Sequence, residues 1–217
     1  FPAMAAETRD KILDAAARLF AASDSGGASL RAIARAAGVN SALIHYHFGS
    51  REGLFEAVIL RALTPVQARR RALLETLRSK RSVSAEELAG LFVRPLIPGP
   101  LDRADFDDRQ DPESDATDLR LLARAFADHR PLVQDLTLKH FGSLMYGFGD
   151  VVGAALSELP DDLKQRRMRF CVQAALETLS GPEMEFARAK GPAACEALVE
   201  DLIAFLAGGL DAPAQIS

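Results

Sequence analysis

Between Ser29 and Phe55 the chain reads SLRAIARAAGVNSALIHYHFGSREGLF, and the start and stop signals in that stretch fix two short helices. Ser29 is a preferred N-cap, and Leu30, Ile33, Ala34 and Ala37 repeat on one helical face. Gly38 is the residue type that ends such a helix, because glycine enters the left-handed cap conformation without steric cost. Asn40 caps a second helix, Gly49-Ser50 closes it, and Ser50 caps a third that begins at Arg51. Just upstream, Ile12, Ala15, Ala16, Leu19 and Phe20 form another apolar face, terminated by Asp24-Ser25-Gly26-Gly27. Two short helices turning through a glycine make a helix-turn-helix, the motif whose second helix enters the DNA major groove.

That second helix carries His45-Tyr46-His47, and three chemistries compete for the cluster: metal binding, acid–base catalysis and contact with a phosphate backbone. At about 100° per residue, Ser41, Ala42, His45 and Tyr46 share one face. Ile44 and Phe48 lie on the other side, with Leu43 and His47 at its flank. The outward face is therefore small, polar and aromatic, which suits close approach to base edges and donation to phosphate oxygens. His45 and His47 are two positions apart, so their side chains diverge and no metal site is expected. His47, nearer the inner face, also has a plain packing role open to it.

The rest of the chain is helical in pattern. The helix from Arg51 is long, with Pro65 kinking or breaking it near Thr64. Further helices are expected at about residues 84–96, 114–128, 131–158, 161–180 and 191–208. Pro98–Asp118, rich in Pro, Gly and Asp, reads as a solvated loop. No strand pattern, repeat or low-complexity tract is visible, so the expected fold is all-α with about nine helices. Phe1-Pro2-Ala3 ahead of Met4 reads as a foreign leader, and Met4-Ala5-Ala6 runs into a polar helical segment without a secretory pattern. No apolar run approaches the roughly 20 residues that span a bilayer. Cys171 and Cys195 sit in apolar helical patterns and read as free core thiols of a reducing cytoplasm.

Charge is unevenly spread. Residues 1–81 hold 13 Lys and Arg against 7 Asp and Glu, and residues 82–217 hold 13 against 23. A basic front half suggests a polyanion partner. The surplus comes from Arg61, Arg69, Arg70, Arg71, Arg78, Lys80 and Arg81, since residues 1–60 alone hold six of each sign. Arg69-Arg70-Arg71 are tempting as DNA clamps, but about 27 Å of helix at about 1.5 Å per residue separates them from Arg51. They read instead as a solvated face.

TRDKILDAAARLFA, from Thr8, and SLRAIARAAGVNSALIHYHFGSREGLFEAV, to Val58, resemble the N-terminal domain of the TetR (tetracycline repressor) family of bacterial transcriptional regulators. The resemblance implies an all-helical homodimer in which residues 1–54 form a three-helix DNA-binding domain. Residues 55–217 would then bind a small effector and dimerise through the helices at about 161–180 and 191–208. Position by position, Ser29 matches a hydroxyl that meets phosphate, and Arg31 a position that reaches a base edge or phosphate. Asn40, Ser41, Ala42 and Leu43 match the groove-facing tip. His45 stands where the family usually has a tyrosine on the backbone. Tyr46 and His47 match the aromatic and histidine positions that follow, and Arg51 matches a phosphate-clamping lysine. Histidine at 45 makes the backbone contact weakly pH-dependent, because imidazole changes charge near neutral pH. Ser41-Ala42-Leu43 is poor in bidentate base readers, so specificity rests on Arg31, thymine methyl contacts and DNA shape.

The C-terminal two thirds is less specific. In 131–158 the stripe Phe141, Leu144, Met145, Phe148 and Val152 is interleaved with Gly142, Gly147, Gly149 and Gly153. An interior glycine costs about 1 kcal/mol relative to alanine, so the four point either to close helix packing or to room for a ligand. Phe92, Leu96, Leu122 and Phe126 line the same cavity on the second reading and are ordinary core on the first. This half resembles, by pattern rather than by motif, TetR-family members that sense fatty-acyl compounds, which implies a small lipophilic effector. The mechanism implied is linkage: recognition helices about 34–36 Å apart enter successive major grooves of a palindromic operator, and an effector that prefers another spacing releases it. A dimeric regulator without an effector is the alternative. Enzymatic action has only His129, His140 and the acidic loop to draw on, with no nucleophile–His–acid signature, phosphate loop or HExxH, so no catalysis and no cofactor are expected.

Overall fold

The computed structural model describes residues 2–22, 28–97 and 112–214. Every regular element among them is helical: α1 (Pro2–Ala22), α2 (Leu30–Ala37), α3 (Ser41–Phe48), α4 (Arg51–Arg78), α5 (Ala85–Val93), a 3-10 turn (Arg94–Leu96), α6 (Pro112–Asp128), α7 (Arg130–Ala155), α8 (Asp161–Ser180), α9 (Pro182–Lys190) and α10 (Pro192–Asp211). The fold is all-α, with one helix more than expected. The addition is α9, in a stretch read only as a chain break at Gly181-Pro182. Its signals are present in the sequence: Pro182 at the first helical position, Glu183 and Glu185 in the first turn, Arg188 and Lys190 in the last, and Gly191 beyond.

Three other expectations change. The loop read over Pro98–Asp118 is helical from Pro112, and residues 98–111 lie outside the described residues, as does the Asp24–Gly27 terminator. Glu113 and Asp115 fall in the first turn of α6, where exposed N–H groups favour carboxylates. Pro65 does not break α4, which runs through it. The helix expected over 131–158 is interrupted at Phe141, whose φ of −130° and ψ of 21° are non-helical. Gly142-Ser143 follows at once, the kind of pair at which helices kink.

The described residues pack as two compact units, those within 1–63 and 111–136, and those within 64–110 and 137–217. In the first, α1 packs on α2 and α6, and α2 on α3. Ile12, Leu13, Ile33, Ile44, Leu54, Ile59, Leu121 and Leu122 are fully buried there. Burying each stabilises the unit by about 1.5–3 kcal/mol. Phe55 joins the elements, edge-on to Phe20 (5.1 Å) and to His129 (5.2 Å), so His129 has a packing role.

In the second unit α10 packs on α5, α8 and α9, and α5 on α8. Arginines stitch these long helices together. Arg69 Nε donates to the Pro95 carbonyl (2.8 Å), and Arg94 forks to Glu196 (2.9 Å) and Glu200. Arg167, 9% exposed, donates to the Leu210 (2.7 Å) and Pro213 (3.3 Å) carbonyls. Arg70 Nε donates to the Leu91 carbonyl (3.3 Å). Of the run Arg69-Arg70-Arg71, read from sequence as a solvated face, only Arg71 is exposed. Cys171 is buried and Cys195 half-buried, both as free thiols, and burial pushes the Cys171 thiol up to about 11. Among the described residues no helix is long and apolar enough to cross a membrane.

Candidate nucleic-acid interface

The geometry of α2 and α3 follows from their caps. Ser29 Oγ accepts from the Ala32 N–H (3.2 Å) and Asn40 Oδ1 from the Ala42 N–H (2.9 Å), both caps in extended backbone. Each leaves its own donor, the Ser29 hydroxyl hydrogen or the Asn40 amide hydrogens, for another acceptor. Gly38 takes φ +67° and returns its N–H to the Ala34 and Arg35 carbonyls, which sets the turn between the helices. Ser50 Oγ accepts from the Gly53 N–H (3.0 Å) and starts α4. The first turn of α4 comes so close to the end of α3 that a Cβ on Gly53 would overlap the Phe48 carbonyl oxygen.

These constraints aim α3. Ile44 is fully buried and Phe48 half-buried, which anchors the helix. Ala42, Leu43, His45 and Tyr46 are exposed, Tyr46 at 81%, while Ser41 and His47 are half-buried. The face anticipated from the helical wheel is the face presented, with Leu43 turned further outward than its flanking position suggested. Arg31 and Asn40 are exposed beside it. Tyr46 meets His47 edge-on (5.1 Å). His45 Nδ1 lies 3.1 Å from the Gly49 carbonyl oxygen. A carbonyl only accepts, so Nδ1 carries the proton. Nε2 of the neutral ring is then a lone pair, and donates to phosphate only as imidazolium.

Arg51 is half-buried: its Nε donates to the Ala28 carbonyl (3.1 Å) and its guanidinium lies over Phe20 (5.4 Å). The sequence reading missed Arg9. From α1 it lies over the Phe48 ring (5.3 Å), adding an exposed cation beside the end of α3. No spacing rule joins residues so far apart in the chain. The helix-turn-helix geometry, two capped helices on one core with the second displaying a small-residue tip, is now complete.

The pattern agrees with comparison to known proteins. Residues 12–58 match the family model described as bacterial regulatory proteins, tetR family, and residues 103–209 match the tetracyclin repressor-like C-terminal domain. The chain belongs to the TetR family. It is therefore a DNA-binding transcriptional regulator and not an enzyme. A candidate TetR-family regulator from Rhodococcus sp. shares 24% identity over 94% of this chain and 97% of its own, at a TM-score of 0.51. A transcriptional regulator from Rhodococcus sp. Rha1 shares 18% over 95% and 99%, at 0.54. A candidate tetR-family regulator from Shewanella sp. PV-4 shares 18% over 89% and 96%, at 0.51. At these identities the likeness is one of fold. The search of curated proteins finds no match.

The nine residues expected to line an effector cavity divide between the units. Phe92, Leu96, Phe141, Leu144, Met145, Phe148 and Val152 belong to the second, and Leu122 and Phe126 to the first. Phe92, Leu96, Leu122, Leu144 and Val152 are buried, and Phe126, Phe141, Met145 and Phe148 half-buried. Phe92 and Phe148 meet edge-on at 5.2 Å. Of the four glycines of α7, Gly147 is buried in a close approach, where a Cβ would meet the end of Arg78. Gly142, Gly149 and Gly153 face open space.

Proposed function

We propose that this TetR-family regulator is a repressor that binds a palindromic operator as a homodimer and is released by a small lipophilic effector. The observation that carries the DNA half is the α3 face. Ala42, Leu43, His45 and Tyr46 stand outward over a buried Ile44, and Ser29, Arg31, Asn40, Ser41, His47 and Arg51 surround them with donors. In this reading residues 1–54 are the DNA-binding module and residues 55–217 sense and dimerise. Ala42 and Leu43 meet thymine methyls, and Arg31 reads a base edge or phosphate. Tyr46, Arg51 and Ser29 hold the backbone, and His45 joins them when it is protonated.

Two aromatic rings support the dimer. Phe170 on α8 is 59% exposed and Phe205 on α10 is 76% exposed, on the helices expected to pair. Phenylalanine gains most from leaving water, and two such rings on paired helices fit a four-helix contact between copies. The sensing half is supported by Phe92 and Phe148 and by the interrupted, glycine-bearing α7. The regulator acts on DNA, so its expected place is the cytoplasm.

Operator selection from random duplex DNA, followed by fluorescence anisotropy, tests the first half. One palindromic consensus, bound more weakly on adding an inducing extract or ligand, is the expected result. Tighter binding with the ligand reverses the sign to co-repression. A broad ligand panel that neither stabilises the protein nor changes operator affinity leaves a regulator without an effector.

A further inference from the structure

Arg70 and Gln67 stand one turn apart on the half of α4 that belongs to the second unit. Gln67 is 3% exposed, and Arg70 is half-buried. The guanidinium donates from Nε to the Leu91 carbonyl and from Nη1 to Gln67 Oε1 (2.8 Å), and lies over the Phe148 ring (5.7 Å). Since arginine only donates, that bond fixes the Gln67 amide with its oxygen toward Arg70, leaving Nε2 pointing elsewhere. Among the described residues, neither Arg70 Nη2 nor Gln67 Nε2 has an acceptor. Every sealed polar side-chain atom among those residues is paired, so neither of these two nitrogens is fully sealed.

The charge balance is equally one-sided. No carboxylate pairs with Arg70 among the described residues, and loss of water alone pushes the guanidinium down to about 10. A cation held against the Phe148 ring and the Leu91 carbonyl without a counter-ion is costly unless something supplies the negative charge. The other arginines that stitch this unit are committed elsewhere: Arg94 to two glutamates, Arg167 to two carbonyls.

We propose that Arg70 and Gln67 are the polar end of the effector site, and that the effector is a lipophilic carboxylic acid. Its carboxylate takes the Arg70 Nη2 and Gln67 Nε2 hydrogens, and its apolar body lies against Phe148 and Phe92. This deepens the effector reading above and rests on it. A planar carboxylate matches an arginine edge, whereas an ester or alcohol leaves the guanidinium uncompensated.

Calorimetry on the purified full-length protein decides the matter, with decanoate and phenylacetate as probes, each against its methyl ester and the corresponding alcohol. At least one acid is expected to bind about 10–100-fold more tightly than its neutral counterparts, the range for hydrogen bonds to a charged group. Gln67→Glu is the informative variant, since it installs a carboxylate against Arg70. It is expected to raise Tm while weakening the acid about tenfold or more, which a merely misfolded variant cannot do. Arg70→Met is expected to remove the preference for acids over esters. Acids and neutral counterparts binding equally well would overturn the carboxylate assignment and leave the effector reading standing. So would Gln67→Glu binding acid as the wild type does. Binding of no probe, acid or neutral, overturns the carboxylate assignment, and the effector reading then falls only if the broad ligand panel also fails.

Discussion

Arg51 and Arg70 lie on one helix and do the same thing locally: each sends Nε to a distant backbone carbonyl and lays its guanidinium on a phenylalanine. Their surroundings differ. Arg51 adjoins a helix-turn-helix whose local geometry comes from caps and turns between near neighbours in sequence, through Ser29, Gly38, Asn40 and Ser50. Arg70 belongs to a unit whose elements are joined across long sequence separations by arginines reaching carbonyls and carboxylates. The first kind of structure is written in short motifs. The second is decided by which long side chain happens to meet which backbone oxygen. The lesson is that a charged residue's role cannot be read from its type, only from what its neighbourhood supplies.

The largest expected effect is at Gly53. Gly53→Val places carbon on the Phe48 carbonyl oxygen and should cost about 3 kcal/mol, the upper part of the range for overpacking, seen as a lower Tm and weakened DNA binding. A wild-type melting curve would mean that the approach of α4 to α3 is not what fixes the turn. Next comes the long-range stitching. Arg167→Met gives up bonds to two carbonyls at the end of α10 and should cost about 2 kcal/mol in thermal melts. If it costs nothing, the second unit is held by apolar packing alone and the comparison fails there.

Asp118 gives an effect on the order of 2–3 kcal/mol over its full pH window. Burial pushes its carboxyl up to about 6 from an ordinary 3.8, opposed by Arg61 and reinforced by Asp115 and Asp14. Because the folded value lies above the unfolded one, this contribution to stability is complete below about pH 4 and is lost as pH rises through 6. Stability of the wild type should therefore carry a downward slope across that window. Asp118→Asn should flatten it, and an unchanged slope in urea titrations would rule the group out. Asn40→Ala removes one cap and should cost about 1 kcal/mol. The smallest effect on stability is at Arg31, exposed on α2: Arg31→Ala should leave Tm unchanged while weakening operator binding and lowering the salt slope by about 1.

The same contrast explains what was legible beforehand. Caps and helical periodicity gave α2, α3 and the α3 face, because those signals act within a turn or two of helix. The missed α9 had its proline, acids, bases and glycine in place and was overlooked beside a stronger break signal at Gly181-Pro182. Pro112–Asp118, read as loop and found at the start of α6, shows that Asp and Glu favour a helix start as readily as solvent. Arg9 over Phe48, and the inward turn of Arg69 and Arg70, depend on tertiary packing and leave no mark in local spacing.

The central claim is that α3 reads DNA as one of a symmetric pair. Native mass spectrometry of the protein with its selected operator duplex tests this most directly. Two 23.4 kDa chains per duplex, falling to one or none when Phe170 and Phe205 are both changed to Asp, is the expected result. A single wild-type chain bound per duplex would contradict it.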